Sequence, residues 1–413
     1  LTPGAVGAGD EPGLVVVGAS LAGLRAVEAA RRAGYGGAIT LIGAEPHLPY
    51  DRPPLSKTFL TGDAEATYYL GEDILSRDLS VDLRLGVTAR ALAPQARTVI
   101  TDVGPVPYRR LLVATGAHAR TLAHLPALDG VWTLRTLDDA TALRASLRGA
   151  ADVVVVGAGF IGAEIASSAR AGGARVTIVE AAAVPLVRAV GEVVGRVLST
   201  VHERHGTRLL CGTTVEELIG DGHVRGVRLS TGEVLRADAV VVGVGAAPAT
   251  QWLKTSGIVL DPRDGGVVCD EYLESSIPGV YAAGDVAHWP NGLFEGDDTM
   301  RLENWTNAAS QAAHAAENTV RPDRRRPYET VPYFWSDWYG QRIQFVGTAD
   351  ADDVSVVGGG GPDEDSDHLV ALYRRGDRLV GAATLNEPRK IMKYRRFIAE
   401  RGLWSAAETA IPA

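Results

Sequence analysis

A chain of 413 residues is too long for one ordinary core, and 46% hydrophobic with 22% charged residues are globular proportions, so two or three domains are expected. The formal net charge of -9 argues against a general nucleic-acid binder. Two distant cysteines, Cys211 and Cys269, indicate no disulfide scaffold, no redox dithiol and no cysteine-rich metal site.

The opening "LTPGAVGAGDEPG" lacks the basic start and apolar core of a signal peptide, and no run approaches 18 uncharged apolar residues. Residues 1–13 are expected to be a loose tail and the protein to be cytoplasmic, without a membrane role. From Leu14 the chain reads as a strand to Val17, a glycine turn, a helix from Leu21 to Arg32 and a strand from Ile39 to Ile42, which is a βαβ unit of parallel type. In its turn, Gly18-Ala19-Ser20-Leu21-Ala22-Gly23, serine replaces the middle glycine. Gly43 occupies the position that matches Glu180 of the later repeat, and Glu45, two residues on, reads either as a ribose ligand or as an exposed turn residue.

"PYDRPPLSK", Pro49 to Lys57, follows. Proline fixes φ, removes a donor and biases its predecessor to extended geometry, so this run is stiff and ends in a lone ammonium. "LLVATGAHAR", Leu111 to Arg120, is a further apolar strand entering a glycine turn. The pattern then returns: Val153 to Glu180 is again strand, glycine turn, helix and strand, and "AVVVGVGAAPA", Ala239 to Ala249, echoes the later strand. A repeat of whole modules implies two Rossmann-like sheets rather than one.

In the second turn, Gly157 allows the tight bend, Gly159 a close approach to a pyrophosphate and Gly162 helix-to-strand packing. Glu180, at the end of the next strand, suits an adenosine ribose and repels a 2′-phosphate, which favours NADH over NADPH. His202 and His205, in "HERH", sit at i and i+3 with no third ligand nearby and read as a surface helix, not a metal site. In "GVYAAGDVAHW" a strand ends at Gly284-Asp285 where a helix could begin. Asp285 is there either a ligand to a polyol hydroxyl or a plain helix cap. "RPDRRRPYE", Arg321 to Glu329, reads as a linker. Beyond Val331, short alternating strands and a helix from Glu387 to Arg401 suggest a separate α+β domain, interrupted by the acidic glycine loop Gly358 to Asp367.

The two glycine turns, "ATG" at Ala114 to Gly116, "GVGAAP" at Gly243 to Pro248 and "AAGDV" at Ala282 to Val286 resemble flavoproteins with two dinucleotide-binding domains. "PYDRPPLSK", "RLENWTNAASQA" (Arg301 to Ala312) and "PYFWSD" (Pro332 to Asp337) narrow the resemblance to FAD- and NADH-dependent ferredoxin reductases that serve cytochrome P450s and aromatic-ring dioxygenases. It spans nearly the whole chain.

The resemblance implies an α/β fold of two Rossmann-like dinucleotide-binding domains plus a C-terminal α+β domain. FAD would take residues 1–118 and 246–330, NADH residues 119–245, and the last domain residues 331–413. FAD would be contacted through Gly18, Ser20, Leu21, Ala22, Gly23, Glu45, Arg52, Lys57, Ala114, Thr115, Gly116, Gly284, Asp285, Val286, Trp305 and Trp335. NADH would use Gly157, Gly159, Phe160, Ile161, Gly162, Glu164, Glu180, Val244 and Gly245. Phe334, Trp335 and Ser336 would cover the flavin edge, and no metal is implied. Lys57 and Glu164 would form the catalytic pair, although Glu164 read by itself is only a helix-dipole carboxylate.

The partner implied is a [2Fe-2S] or similar iron-sulfur ferredoxin, and indirectly a P450 or dioxygenase. Basic clusters at Arg374, Arg375 and Arg378, or at Arg389, Lys390, Lys393, Arg395 and Arg396, could receive it against the negative net charge. Ala249 and Trp338 stand where relatives often carry Asn and Gln; the second is expected to alter the flavin-side surface. Alternatives are a rubredoxin reductase, a thiol-independent NADH oxidase, or a redox-sensing protein similar to apoptosis-inducing factor. Thiol-dependent reductases need a cysteine beside the flavin, and Arg52 to Lys57 has none.

Overall fold

The computed structural model describes residues 12–122, 125–294, 299–359 and 367–410; nearly all of the expected N-terminal tail and most of the acidic glycine loop lie outside them. The chain divides into two compact units. The first comprises Leu1–Asp51, Thr67–His118 and Ala247–Thr330, and the second Arg52–Ala66, Ala119–Ala246 and Val331–Ala413.

In the first unit, five parallel strands lie in the order Val280–Ala282, Arg110–Val113, Leu14–Val17, Ile39–Gly43 and Val81–Leu85. Leu14 to Val17 are buried along their whole length, as a parallel strand covered on both faces must be. The Leu21–Arg32 and Trp305–Val320 helices pack against each other over this sheet, through small residues such as Ala26, Ala30, Ala312 and Ala316. Asn304 caps the longer helix by accepting from the Asn307 N–H at 2.9 Å.

The second unit repeats the plan. Its parallel strands run Arg208–Leu210, Arg175–Val179, Asp152–Val156, Ala239–Val242 and Val131–Trp132. Counted outward from the central strand, the order matches that of the first sheet, except that the outermost strand comes from upstream of its module rather than downstream. The same unit holds a five-stranded antiparallel sheet ordered Tyr333–Trp338, Gln341–Gly347, Arg378–Leu385, Leu369–Arg375 and Asp353–Gly359.

The expected C-terminal helix forms as Pro388–Ala399, shorter at both ends, and a further helix, Trp404–Ala410, was not expected. The Val187–Arg204 helix carries Val190, Val194, Val197 and Val201 into one core with Trp338, Phe345 and Tyr373 of the antiparallel sheet. His202 is therefore not on a surface helix: it is 1% exposed, with its ring stacked on Trp338 at 5.0 Å between centroids.

Candidate active site

The two glycine turns are built alike. Gly18 has φ +120° and Gly157 φ +101°, and a Cβ on either would lie 2.1 Å or 2.4 Å from the carbonyl oxygen of Ala114 or Gly243, respectively. Only glycine fits both demands. The helices that follow begin at Leu21 and Phe160, and neither Ser20 nor Gly159 caps its helix through a side chain. The amides of Leu21, Ala22 and Gly23, and of Phe160, Ile161 and Gly162, thus form two helix starts suited to phosphate.

At Gly159 a Cβ would meet nothing nearer than 3.9 Å, so room exists there for a ligand. The Glu180 carboxylate closes the second turn, accepting from the Ala158 N–H at 2.7 Å and the Ala182 N–H at 2.8 Å. The first module cannot copy this. A Cβ on Gly43 would lie 2.5 Å from that of Ala19, which leaves no space for an acid at the strand end. The acid follows at Glu45, half-buried rather than exposed, where it accepts from the Tyr50 hydroxyl at 2.5 Å.

Ala114, Thr115 and Gly116 leave the Arg110–Val113 strand, with the Thr115 hydroxyl donating to the Ala249 carbonyl at 2.9 Å and Gly116 at φ +66°. The side chain lost at Ala249 is thus irrelevant to that bond, which uses backbone. Gly245 takes φ +99° after Val244, and its carbonyl accepts from the Arg120 N–H. Asp285 and the buried Val286 lie in a turn that enters the short strand Ala287–His288. No helix starts there, so the capping reading of Asp285 fails. Trp305 opens the Trp305–Val320 helix, its indole N–H 3.0 Å from Asp51 and 2.9 Å from the Tyr69 hydroxyl.

The stiff segment belongs to the second unit. Pro53–Ser56 forms a single 3₁₀ turn, Thr58–Thr61 one helical turn, and Lys57 is the joint between them. Its ammonium lies 2.8 Å from Glu164 Oε2 and donates to the Pro53 carbonyl at 3.1 Å. Arg52, at the start of the segment, donates to the Arg135 carbonyl at 2.6 Å.

Glu164 is 3% exposed, which rules out the plain helix-dipole reading. Besides Lys57 it accepts the Ser56 hydroxyl on Oε2 and the Ser336 hydroxyl on Oε1, each at 2.5 Å. Ser336 in turn accepts the Trp338 indole N–H at 2.7 Å. Trp338 is 1% exposed, so it reshapes the interior behind Glu164 and not a docking surface, contrary to the expectation. Phe334 leans on Phe160, centroids 4.6 Å apart, and Trp335 stacks on Tyr333.

Ser56 was missed by the sequence reading. A serine before a lysine reads as a turn residue, and nothing local announces a carboxylate more than a hundred positions away. Both cysteines are free. Cys269 is buried, and burial pushes its thiol well up; Cys211, partly buried near Glu180, is also raised.

A family profile described as pyridine nucleotide-disulphide oxidoreductase matches residues 12–312, and one described as reductase C-terminal matches residues 333–413. The chain belongs to the pyridine nucleotide-disulphide oxidoreductase family. Rhodocoxin reductase of Rhodococcus erythropolis is 36% identical over 94% of this chain and 89% of its own length. The ferredoxin–NAD(+) reductase component of the p-cumate 2,3-dioxygenase system of Pseudomonas putida is 36% identical over 94% and 93%. Among solved structures, the covalent putidaredoxin reductase–putidaredoxin complex superposes with a TM-score of 0.88 at 29% identity, over 95% of this chain and 94% of that one.

The resemblance to ferredoxin reductases, the fold class and the oxidoreductase activity are borne out, as are FAD and NAD(H) as cofactors. The residues fit these groups. Both helix starts lack side-chain caps, Gly159 leaves space, and the amide nitrogen of Gln311, buried beside Gly284, has no partner among the described residues.

Proposed function

We propose that the chain takes hydride from NADH onto FAD and passes the electrons singly to an iron-sulfur ferredoxin that supplies a P450 or a dioxygenase. The observation that carries this reading is the buried Lys57–Glu164 pair. At the turn where thiol-dependent reductases need a cysteine, the chain presents an ammonium held by a carboxylate. Two relatives whose names specify ferredoxin–NAD(+) or rhodocoxin reductase, and a solved relative joined to putidaredoxin, support the choice of acceptor.

Residues 1–118 and 246–330 would hold FAD and residues 119–245 NADH, with residues 331–413 next to the acceptor. Bound FAD would supply a hydride acceptor able to release two electrons singly and its proton to solvent. The chain's own work is positional. The amides after Gly18 and Gly157 hold the two pyrophosphates, and Glu180, already oriented by two backbone N–H groups, takes the adenosine ribose of NADH. Ser56 and Ser336 occupy both oxygens of Glu164, which fixes the carboxylate and through it the Lys57 ammonium.

Ferredoxin docks on the Pro388–Ala399 helix. Ile391, Tyr394 and Ile398 face inward, leaving Arg389, Met392, Lys393 and Arg396 as one exposed stripe at i, i+3, i+4 and i+7. Met392 is 46% exposed within this basic stripe, an apolar contact flanked by positive charge that suits an acidic protein. In the stripe Arg396 pairs with Glu400 at 2.8 Å, whereas all three residues of the other basic cluster are engaged: Arg374 and Arg375 pair with Asp353 and Asp350, and Arg378 donates to the Arg401 carbonyl. The setting we infer is the cytoplasm, where two free thiols are stable. Among the described residues no helix is long and apolar enough to cross a membrane.

The test is turnover: NADH-driven reduction of cytochrome c that depends on added ferredoxin. A slow NADH oxidation indifferent to ferredoxin overturns the reading and favours an oxidase or a redox sensor.

A further inference from the structure

Asp261, Asp264 and His288 in the first unit bring ligand atoms within 4.8 Å of one another, the arrangement of a metal site. Two guanidinium groups already pair with its carboxylates. Arg263 pairs with Asp261 at 2.9 Å and Arg301 with Asp264 at 2.6 Å, while His288 Nε2 lies 3.0 Å from the other Asp264 oxygen. Asp261 is held down at about 2, chiefly by its bond from Arg263. The Asp264 carboxyl is also lowered, because bonds from the Gly266 N–H, His288 and Arg301 outweigh its burial. With the anionic charge already answered, a cation gains little there.

What the network does is aim Arg301. With Nε fixed on Asp264, the guanidinium turns Nη1 to the carbonyl oxygen of Asp285 at 2.8 Å and to the Glu303 carboxylate at 2.6 Å. Ten residues on, the Gln311 Oε1 accepts the N–H of Gly284 at 2.8 Å. Asn307, itself accepting from the Tyr328 hydroxyl, donates to the same oxygen at 3.2 Å. The two residues of the turn are therefore gripped at opposite ends, by an acceptor on the 284 N–H and a donor on the 285 carbonyl.

Gly284 has φ +81°, and a Cβ there would touch Ala22 and Ala308, so the turn is also wedged between the starts of the Leu21 and Trp305 helices. Gln311 is 0% exposed, and its Nε2 has no hydrogen-bond partner among the described residues. A buried amide with one end unpaired costs stability, and here its other end holds the Gly284 N–H.

We propose that Arg301 and Gln311 are a two-point clamp that positions the Gly284-Asp285 turn for FAD. The proposal rests on the FAD reading of that turn. It explains why "RLENWTNAASQA" accompanies "AAGDV" in one chain: the first and eleventh residues of one motif hold the other.

The test is titration of deflavinated protein with FAD, followed by flavin fluorescence, beside the thermal melt of each apoprotein. Arg301→Lys keeps the charge facing Asp264 but cannot serve Asp264, Asp285 and Glu303 together with a planar fork, and Gln311→Met keeps the volume without the amide. Each is expected to raise the FAD dissociation constant roughly tenfold, the order expected for losing one buried hydrogen bond. Gln311→Met also strands the buried Gly284 N–H and is expected to lower the apoprotein melt, so the dissociation constant is the deciding readout. Because both act on one turn, the double variant should fall short of the product of the single factors. Asp285→Ala separates the two layers. If it binds FAD like the parent, the FAD reading of the turn is wrong; if it loses FAD while Arg301→Lys and Gln311→Met bind normally, the clamp is wrong. A lower melt with an unchanged constant makes both residues structural only and also overturns the proposal.

Discussion

A buried carboxylate is worth keeping only if its partners are, and around Glu164 the partners can be separated by mutation. Removing one member of a buried ion pair costs ~3–5 kcal/mol because the other is left uncompensated. Lys57 is 19% exposed and can rehydrate, which puts Glu164→Gln near the lower end. Urea unfolding should show that loss, and stopped-flow should show hydride transfer slowed by about tenfold. The combined Lys57→Met, Glu164→Leu variant, apolar and of similar volume, should recover the stability but not the rate. Recovery of both would make the pair a packing device. Glu180 was legible because a fixed number of residues separates it from its glycine turn. The burial of Glu164 was not, since its donors Ser56, Lys57 and Ser336 converge from segments far apart in sequence.

Elements made by local signals came through whole. The Leu14–Val17 strand and Leu21–Arg32 helix match the sequence reading residue for residue, because apolar run, glycine turn and amphipathic period lie within one short window. The Val187–Arg204 helix shows the opposite case. Its outward-looking "HERH" is covered by a strand whose aromatic residues lie more than 130 positions later, so no local window could show His202 as buried. That burial has a pH signature. Desolvation first, then the neighbouring His205, lowers the His202 imidazole from its ordinary 6.5 to about 4. Between those values the unfolded chain binds a proton that the folded chain refuses, so stability is full above pH 6.5 and falls as pH drops toward 4. At ~1.4 kcal/mol per pKa unit the loss is roughly 3 kcal/mol. His202→Phe, which keeps the stack on Trp338, should flatten unfolding free energy against pH across this window. A slope equal to that of the parent protein there would assign the acid lability to another group.

For the whole molecule, duplicated topology was readable from the repeated βαβ units, whereas the edges of the sheets were not. Strands of two or three residues, such as Val131–Trp132 and Val280–Ala282, are too short to carry a period. The assignment of Arg52–Ala66 to the second unit is equally a matter of long-range packing, here Phe59 under Arg144 and Leu60 in the core of the parallel sheet. Charge also acts at this scale. A net -9 opposes an acidic ferredoxin at long range, while the proposed docking helix Pro388–Ala399, with five basic residues and no acidic one, would attract it at contact distance. Salt screens both terms, but they reach differently: the Debye length is ~10 Å at 0.1 M. Small additions of salt should therefore remove the diffuse repulsion first and lower the ferredoxin KM, and further additions should raise it several-fold as the helix is screened. Reversal at Lys393 and Arg396 to Glu should raise KM about tenfold at low salt and leave only the falling limb, with NADH-to-ferricyanide turnover unchanged. If the doubly reversed protein keeps the rising limb, ferredoxin meets the chain on another face.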